Sequence, residues 1–469
     1  MSKSIAEKLS EYTDSDYLPM HMPGHKRNIF DFPYLAPLGG KLDITEIYGF
    51  DNLNHPSGIF EESERIASEL WGAEHSFYSV NGSSGAILAS VRAVLLGKKL
   101  PKVLLSRASH KSVYNAVELC GARAGYLTPE LSSFAFPLSI TPDDVERELR
   151  ENPDTSLVII TSPTYEGVIS DVRSIATVCH RYGVPLMVDS AHGAHLGLFG
   201  VFDESPVTCG AEITVQSLHK TLPSLTQTAV VHVCGDLVDF ETLAEQMRVF
   251  QSSSPSYLLS SSIDGAVRIL ENHGKRLLAD WKYELDSIWE RLHGLKKLHL
   301  FDADDGAFAL DRSKLVISTE NAAMSGTELA EILRDKYRIE VEMASMSYIT
   351  AMSGIGDTHD TLSRFADAVK EIDRDTETAK RTDVLSFPIR IPKYVMSASD
   401  ERMYEAEMIS LDMAEGRISA SYVYAYPPGI PLIVPGELID RDLLDVISKM
   451  KRSGINVYSC GKDHVKVIK

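Results

Sequence analysis

The sequence predicts an α/β sandwich around a mostly parallel sheet, followed in the chain by a smaller α/β domain. Between about 60 and 300, helical and strand signals alternate. Four of the strand-like runs, Lys102-Val103-Leu104-Leu105, Leu157-Val158-Ile159-Ile160-Thr161, Leu186-Met187-Val188 and Ile213-Thr214-Val215, are almost continuously apolar, as strands buried on both faces are. At 469 residues the chain exceeds what one compact core organises, which predicts two or three domains.

Taken in order, residues 1–45 read as a helix followed by an irregular arm. The segment His21-Met22-Pro23-Gly24-His25-Lys26 within it has the composition of a plain turn with solvated charges. A helix is expected over 61–70. After the strand-like Phe77-Tyr78-Ser79-Val80, a second helix carries the apolar stripe Ala86, Leu88, Val91, Val94 and Leu95. Thr228-Ala229-Val230-Val231 is a fifth strand run, and helices over 142–150 and 172–182 supply crossovers. A long helix over 258–292 leads to Lys314-Leu315-Val316-Ile317-Ser318, a helix over 326–335 and a strand at Ile339-Glu340-Val341-Glu342. The tail has a loop, Tyr424-Ala425-Tyr426-Pro427-Pro428-Gly429-Ile430-Pro431, then a helix and a last strand. The expected division is 1–45 as helix and arm, 46–300 as the large domain and 301–469 as the small one. No internal repeat or low-complexity tract interrupts it.

Composition narrows the function. A net charge of −19 argues against a general nucleic-acid binder, which needs surplus Lys and Arg. The five cysteines, Cys120, Cys179, Cys209, Cys234 and Cys460, form no C-x-x-C pair, so neither a disulfide framework nor a zinc site is expected. The first residues lack an apolar core of signal-peptide length, and no apolar run approaches the ~20 residues of a membrane helix. A reducing, cytoplasmic protein without membrane partners is the expectation.

Four segments could carry chemistry. Asn81-Gly82-Ser83-Ser84-Gly85 opens a helix after a strand, where free N–H groups and a partial positive charge make a seat for phosphate; an ordinary Ser/Gly N-cap has the same residues. It matches neither a Walker loop nor G-x-G-x-x-G. In Ser106-Arg107-Ala108-Ser109-His110-Lys111-Ser112, His110 could stack on an aromatic ring or simply cap a helix. In Asp189-Ser190-Ala191-His192-Gly193-Ala194-His195, the strand-end Asp189 could pair with a protonated pyridine nitrogen; a metal held by Asp189, His192 and His195 competes with that reading. Finally, Ser217-Leu218-His219-Lys220 ends a buried strand. Ser217 and His219 are candidate phosphate donors there, and Lys220 is a candidate to condense with an aldehyde if its pKa is lowered. Of the three His-Lys pairs, 25–26, 110–111 and 219–220, the last alone follows a strand ending in a carboxylate. Lysine, carboxylate and phosphate seat together are what pyridoxal phosphate requires.

Together, Pro23-Gly24-His25-Lys26, Asn81-Gly82-Ser83-Ser84-Gly85, His110-Lys111-Ser112, Asp189-Ser190-Ala191-His192-Gly193 and Ser217-Leu218-His219-Lys220 resemble the Orn/Lys/Arg decarboxylases. The tail segments Gly416-Arg417-Ile418-Ser419, Tyr426-Pro427-Pro428-Gly429-Ile430-Pro431 and Pro435-Gly436-Glu437 resemble that family's C-terminal domain. The chain is similar to the short, biosynthetic-type bacterial members, with no room for an added receiver-like domain. The resemblance implies a fold-type-I, aspartate aminotransferase-like large domain and pyridoxal 5'-phosphate as cofactor. It further implies that Lys220 bonds the cofactor, Asp189 pairs with the ring nitrogen and His110 stacks on the ring. Ser84, Gly85, His192, Ser217 and His219 would complete the cofactor site. Ser253, within Gln251-Ser252-Ser253-Ser254-Pro255, would reach the phosphate of a neighbouring subunit in a homodimer or higher homo-oligomer. The implied reaction is decarboxylation of a basic L-amino acid: arginine to agmatine first, as in polyamine synthesis, then lysine or ornithine. A pyridoxal-phosphate aminotransferase or lyase, and a non-catalytic protein retaining the fold, are the competing readings.

Overall fold

The computed structural model describes residues 3–134, 136–379, 393–396, 401, 404–425, 429–452, 454–461 and 463–469. Of the proline-punctuated tail loop, Tyr426, Pro427 and Pro428 lie outside the described residues.

The chain opens with α1 (Ile5–Thr13), capped by Ser4, whose hydroxyl accepts the Glu7 amide while the Glu7 carboxylate accepts the Ser4 amide. Helix α2 (Ile59–Trp71) carries Glu61 and Glu62 in its first turn, where carboxylates offset the helix dipole. Then come β1 (His75–Ser79), α3 (Gly82–Leu95), β2 (Lys102–Ser106), α4 (Lys111–Leu119), β3 (Arg123–Leu127) and α5 (Pro142–Glu151). Helix α5 has Thr141 as N-cap and proline at its first position, where a missing N–H costs nothing. Strands β4 (Thr155–Thr161) and β5 (Val168–Ile169), α6 (Val172–Arg181), β6 (Leu186–Asp189), β7 (Ile213–Ser217), β8 (Ala229–Val233), α7 (Phe240–Phe250) and α8 (Tyr257–Leu292) follow. The remaining elements are β9 (His299–Leu300), β10 (Ala309–Leu310), β11 (Lys314–Ser318), α9 (Gly326–Tyr337), β12 (Met343–Ala344), β13 (Tyr348–Met352), α10 (His359–Asp375), β14 (Ala406–Ser410), β15 (Val423–Ala425), β16 (Pro431–Ile433), α11 (Arg441–Arg452), β17 (Val457–Tyr458) and β18 (His464–Ile468).

Two compact units each take up two stretches of the chain: Met1–Leu96 with Pro185–Asp280, and Gly97–Val184 with Trp281–Lys469. In the first, the strand order is β1-β8-β7-β6. Strands β6 and β7 are parallel, with Asp189 opposite Val215. Both β7 and β1 run antiparallel to β8, and Ser217, Ala229 and Ser79 form one rung. That rung lies at the carboxyl ends of β1 and β7, so α3 begins beside the residues that follow β7. Helix α3 packs on β7, β8 and α7, burying Ala86, Ile87, Val91, Val94 and Leu95. Leu88, expected in the stripe, is half-buried, and Ile87 takes its place.

In the second unit β4, β2 and β3 pair in parallel, and α5 packs on α6. Strand β11 pairs antiparallel with β13 and β9. The expected strand at Ile339-Glu340-Val341-Glu342 is not formed: Glu340 and Glu342 are exposed, and pairing begins at the buried Met343. The C-terminal segment has its own core, with Leu411, Val423, Ile433, Leu444, Ile447 and Val465 among its members. The mostly parallel sheet is thus present, and so is the separate C-terminal domain. Among the described residues no helix is long and apolar enough to cross a membrane.

Candidate active site

Every residue of β7 is buried, as a strand between helix layers must be, and the chain leaves it through a single helical turn at Leu218–Lys220. That turn brings Lys220 Nζ to 2.8 Å from His192 Nε2. Asp189 ends the neighbouring β6, is buried, and accepts the Ala191 amide at 3.2 Å. Burial pushes the Asp189 carboxyl above the ordinary carboxylate range, with the positive charge of Lys220 pulling in the opposite direction. A cation placed against Asp189 would hold it ionised.

His219 points Nδ1 at Thr228 O, 3.0 Å away. A carbonyl only accepts, so Nδ1 carries the proton. Burial pushes the His219 pKa down and favours the neutral ring, whose Nε2 is then an acceptor. His219 can donate to a phosphate from Nε2 only as an imidazolium.

The anion seat is built from the start of α3. Asn81 is the N-cap and makes no side-chain capping bond. Gly82, at φ +68°, adopts a backbone that residues with a Cβ rarely take, and its amide donates to Gln227 O at 3.0 Å. The turn is pinned on both sides: Val80 N–H donates to Gln251 Oε1 at 2.8 Å, and Gln227 Nε2 donates to Val80 O at 2.9 Å. Gly85 N–H is taken by Asn81 O at 3.2 Å, so the first-turn amides of Ser83 and Ser84 are the donors on offer. Across the rung, Ser217 is fully buried and its hydroxyl has no hydrogen-bond partner among the described residues. An orphaned hydroxyl beside a helix N-terminus, a buried carboxylate and a strand-end lysine fit a phosphorylated, nitrogen-containing aldehyde.

The other residues singled out in the sequence have settings of their own. His110 belongs to the second unit, as N-cap of α4: its Nδ1 accepts the Ser112 amide at 3.2 Å and lies 2.8 Å from Ser112 Oγ. Ser252, Ser253 and Ser254 are exposed in the loop after α7, and Gln251 is engaged with Val80 and Asn54. His195 is buried edge-on to Phe202 with ring centroids 4.8 Å apart. Among the described residues no group of three His, Cys, Asp or Glu side chains converges as a metal site. The Pro23-to-Lys26 turn is not a plain solvated one. His25 Nδ1 accepts the Arg27 amide, His25 Nε2 lies 3.3 Å from Asp43, and the Arg27 guanidinium sits 4.5 Å over the Tyr12 ring.

Two features escaped the sequence. Gln216 Nε2 and Trp71 Nε1 donate to Gly193 O and Ala194 O at 3.1 and 3.0 Å, tying down the turn that carries His192. A polar residue inside the otherwise apolar run Ile213-Thr214-Val215-Gln216 was the available signal. In the second unit, Arg107 is buried with Glu437 at 3.4 Å, and donates to Pro431 O at 2.6 Å.

The chain is similar to known proteins along most of its length. The Orn/Lys/Arg decarboxylase major-domain model matches residues 4–301, and the model of that family's C-terminal domain matches residues 388–454. The chain is 31% identical over 462 residues to an arginine decarboxylase of Bacillus subtilis, covering 96% of this chain and 94% of that one. A lysine decarboxylase structure from Francisella novicida superposes with TM-score 0.84 at 18% identity, over 99% of this chain and 81% of that one. An alanine–glyoxylate aminotransferase from Nostoc superposes with TM-score 0.54 at 14% identity, over 68% and 88%. At those identities the two structures speak for the fold.

Proposed function

The chain belongs to the Orn/Lys/Arg decarboxylase family, and from that premise we propose that it decarboxylates L-arginine to agmatine and carbon dioxide, using pyridoxal 5'-phosphate bonded to Lys220. The observation that carries this reading is the meeting of Lys220 and His192 at 2.8 Å beside the buried Asp189. Support for arginine over lysine comes from the name of the more similar relatives, at 30% identity or slightly above, against 21% for an inducible lysine decarboxylase of Escherichia coli.

When bound, the cofactor supplies an aldehyde for the substrate amine and an electron-withdrawing ring that accepts the electrons left when carbon dioxide departs. The chain's own residues do the rest. Lys220 would hold the cofactor through Nζ, and with substrate bound that amine would be free. His192, within hydrogen-bond reach of Nζ, holds that freed amine in position and can exchange a proton with it. Asp189 is buried, and its charge would keep the pyridine nitrogen protonated. The amides of Ser83 and Ser84 and the hydroxyl of Ser217 would bind the cofactor's phosphate, His219 would contribute as an imidazolium, and Gly85 lets the turn close, since a Cβ there would sit 2.7 Å from the Asn81 side chain. By the family resemblance, His110 would stack on the ring. In a homodimer Ser253, exposed in its own protomer, reaches the phosphate of the other.

The test is carbon dioxide release from carboxyl-labelled arginine, lysine and ornithine by the purified protein supplied with pyridoxal phosphate, without a keto acid. Equimolar agmatine and carbon dioxide from arginine is the expected result. A requirement for a keto acid would replace decarboxylation with transamination, and preference for another labelled substrate would reassign the amino acid.

A further inference from the structure

The turn that carries His192 is held from behind by three buried side chains, Trp71, Gln216 and His232. Gln216, fourth residue of β7, is fully buried; its Nε2 donates to Gly193 O at 3.1 Å and its Oε1 lies 3.2 Å from His232 Nε2. A carboxamide oxygen only accepts, so that contact fixes the His232 proton on Nε2 and leaves Nδ1 to accept from Ser76 Oγ at 2.8 Å. Strand register makes the pairing possible. Thr214 stands opposite His232 and Gln216 opposite Val230, so Gln216 and His232 are diagonal neighbours on one face. Behind them Trp71 lies against the His232 ring with centroids 5.2 Å apart, and its Nε1 donates to Ala194 O at 3.0 Å.

Burying a carboxamide, an imidazole and an indole N–H is costly unless each is paired, and apolar side chains would fill the same space without that cost. Each donor here is spent on fixing something: Gln216 on the carbonyl directly after His192, Trp71 on the next one, His232 on the orientation of Gln216. Buried desolvation, which takes the His232 pKa down to about 3, keeps this ring neutral and its single proton in place. The turn itself is short: Gly193 N–H donates to Ser190 O at 2.8 Å, and Ser190 N–H to Val215 O at 2.9 Å. Moving either clamped carbonyl therefore moves the His192 ring.

We propose that Trp71, Gln216 and His232 are positioning residues that hold His192 at hydrogen-bond distance from Lys220 Nζ. The proposal rests on the reading of Lys220 as the cofactor lysine. Two variants test it. Gln216→Met removes both carboxamide bonds at similar volume; Trp71→Phe keeps a ring against His232 and removes the bond to Ala194. For each, the acetylation rate of Lys220 in cofactor-free protein is mapped by peptide mass spectrometry at fixed pH. The kcat and KM of the holoenzyme and the melting temperature are measured alongside.

In Gln216→Met, Lys220 acetylation is expected to change at least about three-fold and kcat to fall about ten-fold or more, with KM little altered, as for a displaced catalytic group. Trp71→Phe is expected to move both in the same direction by less. A lowered melting temperature with unchanged Lys220 acetylation and kcat would make the network merely structural and overturn the proposal. If Gln216→Met does not fold, the same readouts on Trp71→Phe decide it. Borohydride trapping separates the two levels: wild-type protein that traps cofactor on another lysine fails the reading and the proposal together, whereas normal trapping at Lys220 with unaffected variants fails the proposal alone.

Discussion

Lys220 Nζ stands 2.8 Å from His192 Nε2, although the two residues follow different strands and are separated by 28 positions in sequence. The parallel pairing of β6 and β7 brings them together at one end of the sheet. Lys220→Ala should leave the melting temperature within a few degrees of wild type, because the side chain is half-buried and spans no core. The variant should bind pyridoxal phosphate without the visible absorbance of the lysine-bound form and show almost no turnover. Activity near wild type would remove Lys220 from the mechanism.

Asp189→Asn keeps shape and removes charge. Ring protonation would lose its support, so kcat should fall by roughly two to four orders of magnitude, the range for a charged group acting directly on the reacting system. The cofactor-free protein should lose little stability, since the native carboxylate is itself desolvated. Steady-state kinetics and calorimetry on the same preparation check both halves; an active Asp189→Asn would place the ring nitrogen against some other group.

Ser217→Ala should act in opposite directions on the two forms. Its hydroxyl is buried with no partner among the described residues, so removing it should leave the cofactor-free protein as stable or slightly more so. A hydrogen bond to a charged phosphate is worth about 1.5–3 kcal/mol, so the variant should bind pyridoxal phosphate roughly ten-fold or more weakly. Equal affinity by titration would take Ser217 out of the phosphate seat.

Glu64 lies behind β1, almost wholly buried, and accepts the Tyr78 amide at 3.0 Å. Burial pushes its pKa from 4.5 up to about 8. The folded state therefore holds a proton that the unfolded chain releases between those two values. Stability from this group is complete below pH 4.5, declines as pH rises, and levels off above 8; the ceiling on the loss is about 5 kcal/mol. Glu64→Gln should flatten the fall in stability between pH 5 and 9, measured by urea unfolding. Parallel curves for the two proteins would mean that Glu64 titrates normally.

The parts of the site legible in the sequence were those that local pattern alone can place. Asp189 and Lys220 end continuous apolar runs, and parallel sheets put functional groups at such ends. Segment 81–85 was readable as a helix start, because Gly and Ser favour that position. Strand β3 was missed because Arg123-Ala124-Gly125-Tyr126-Leu127 has a charge and a glycine where a strand wants bulk. Gly125 is needed there, since a Cβ would sit 2.6 Å from the Leu104 side chain. His110 was correctly seen entering a helix, but its cap with Ser112 depends on a backbone angle that no residue pattern states. The bonds from Gln216 to Gly193 and from Arg107 to Glu437 span 23 and 330 positions, and nothing short of the fold announces them.

That last separation governs how the protein can be made. Arg107 Nε is buried with no partner among the described residues, and the guanidinium's other bonds go to Tyr114, Pro431, Leu432 and Glu437. At about 5–20 residues per second of synthesis, the ribosome delivers Glu437 roughly 15–65 seconds after Arg107. Through that interval a nascent chain would have to leave this arginine in water, and with it the end of β2 and the entry to α4. Completion of that part of the second unit is therefore timed by the arrival of the carboxyl-terminal segment, which makes late truncations and premature stops damaging well upstream of where they fall.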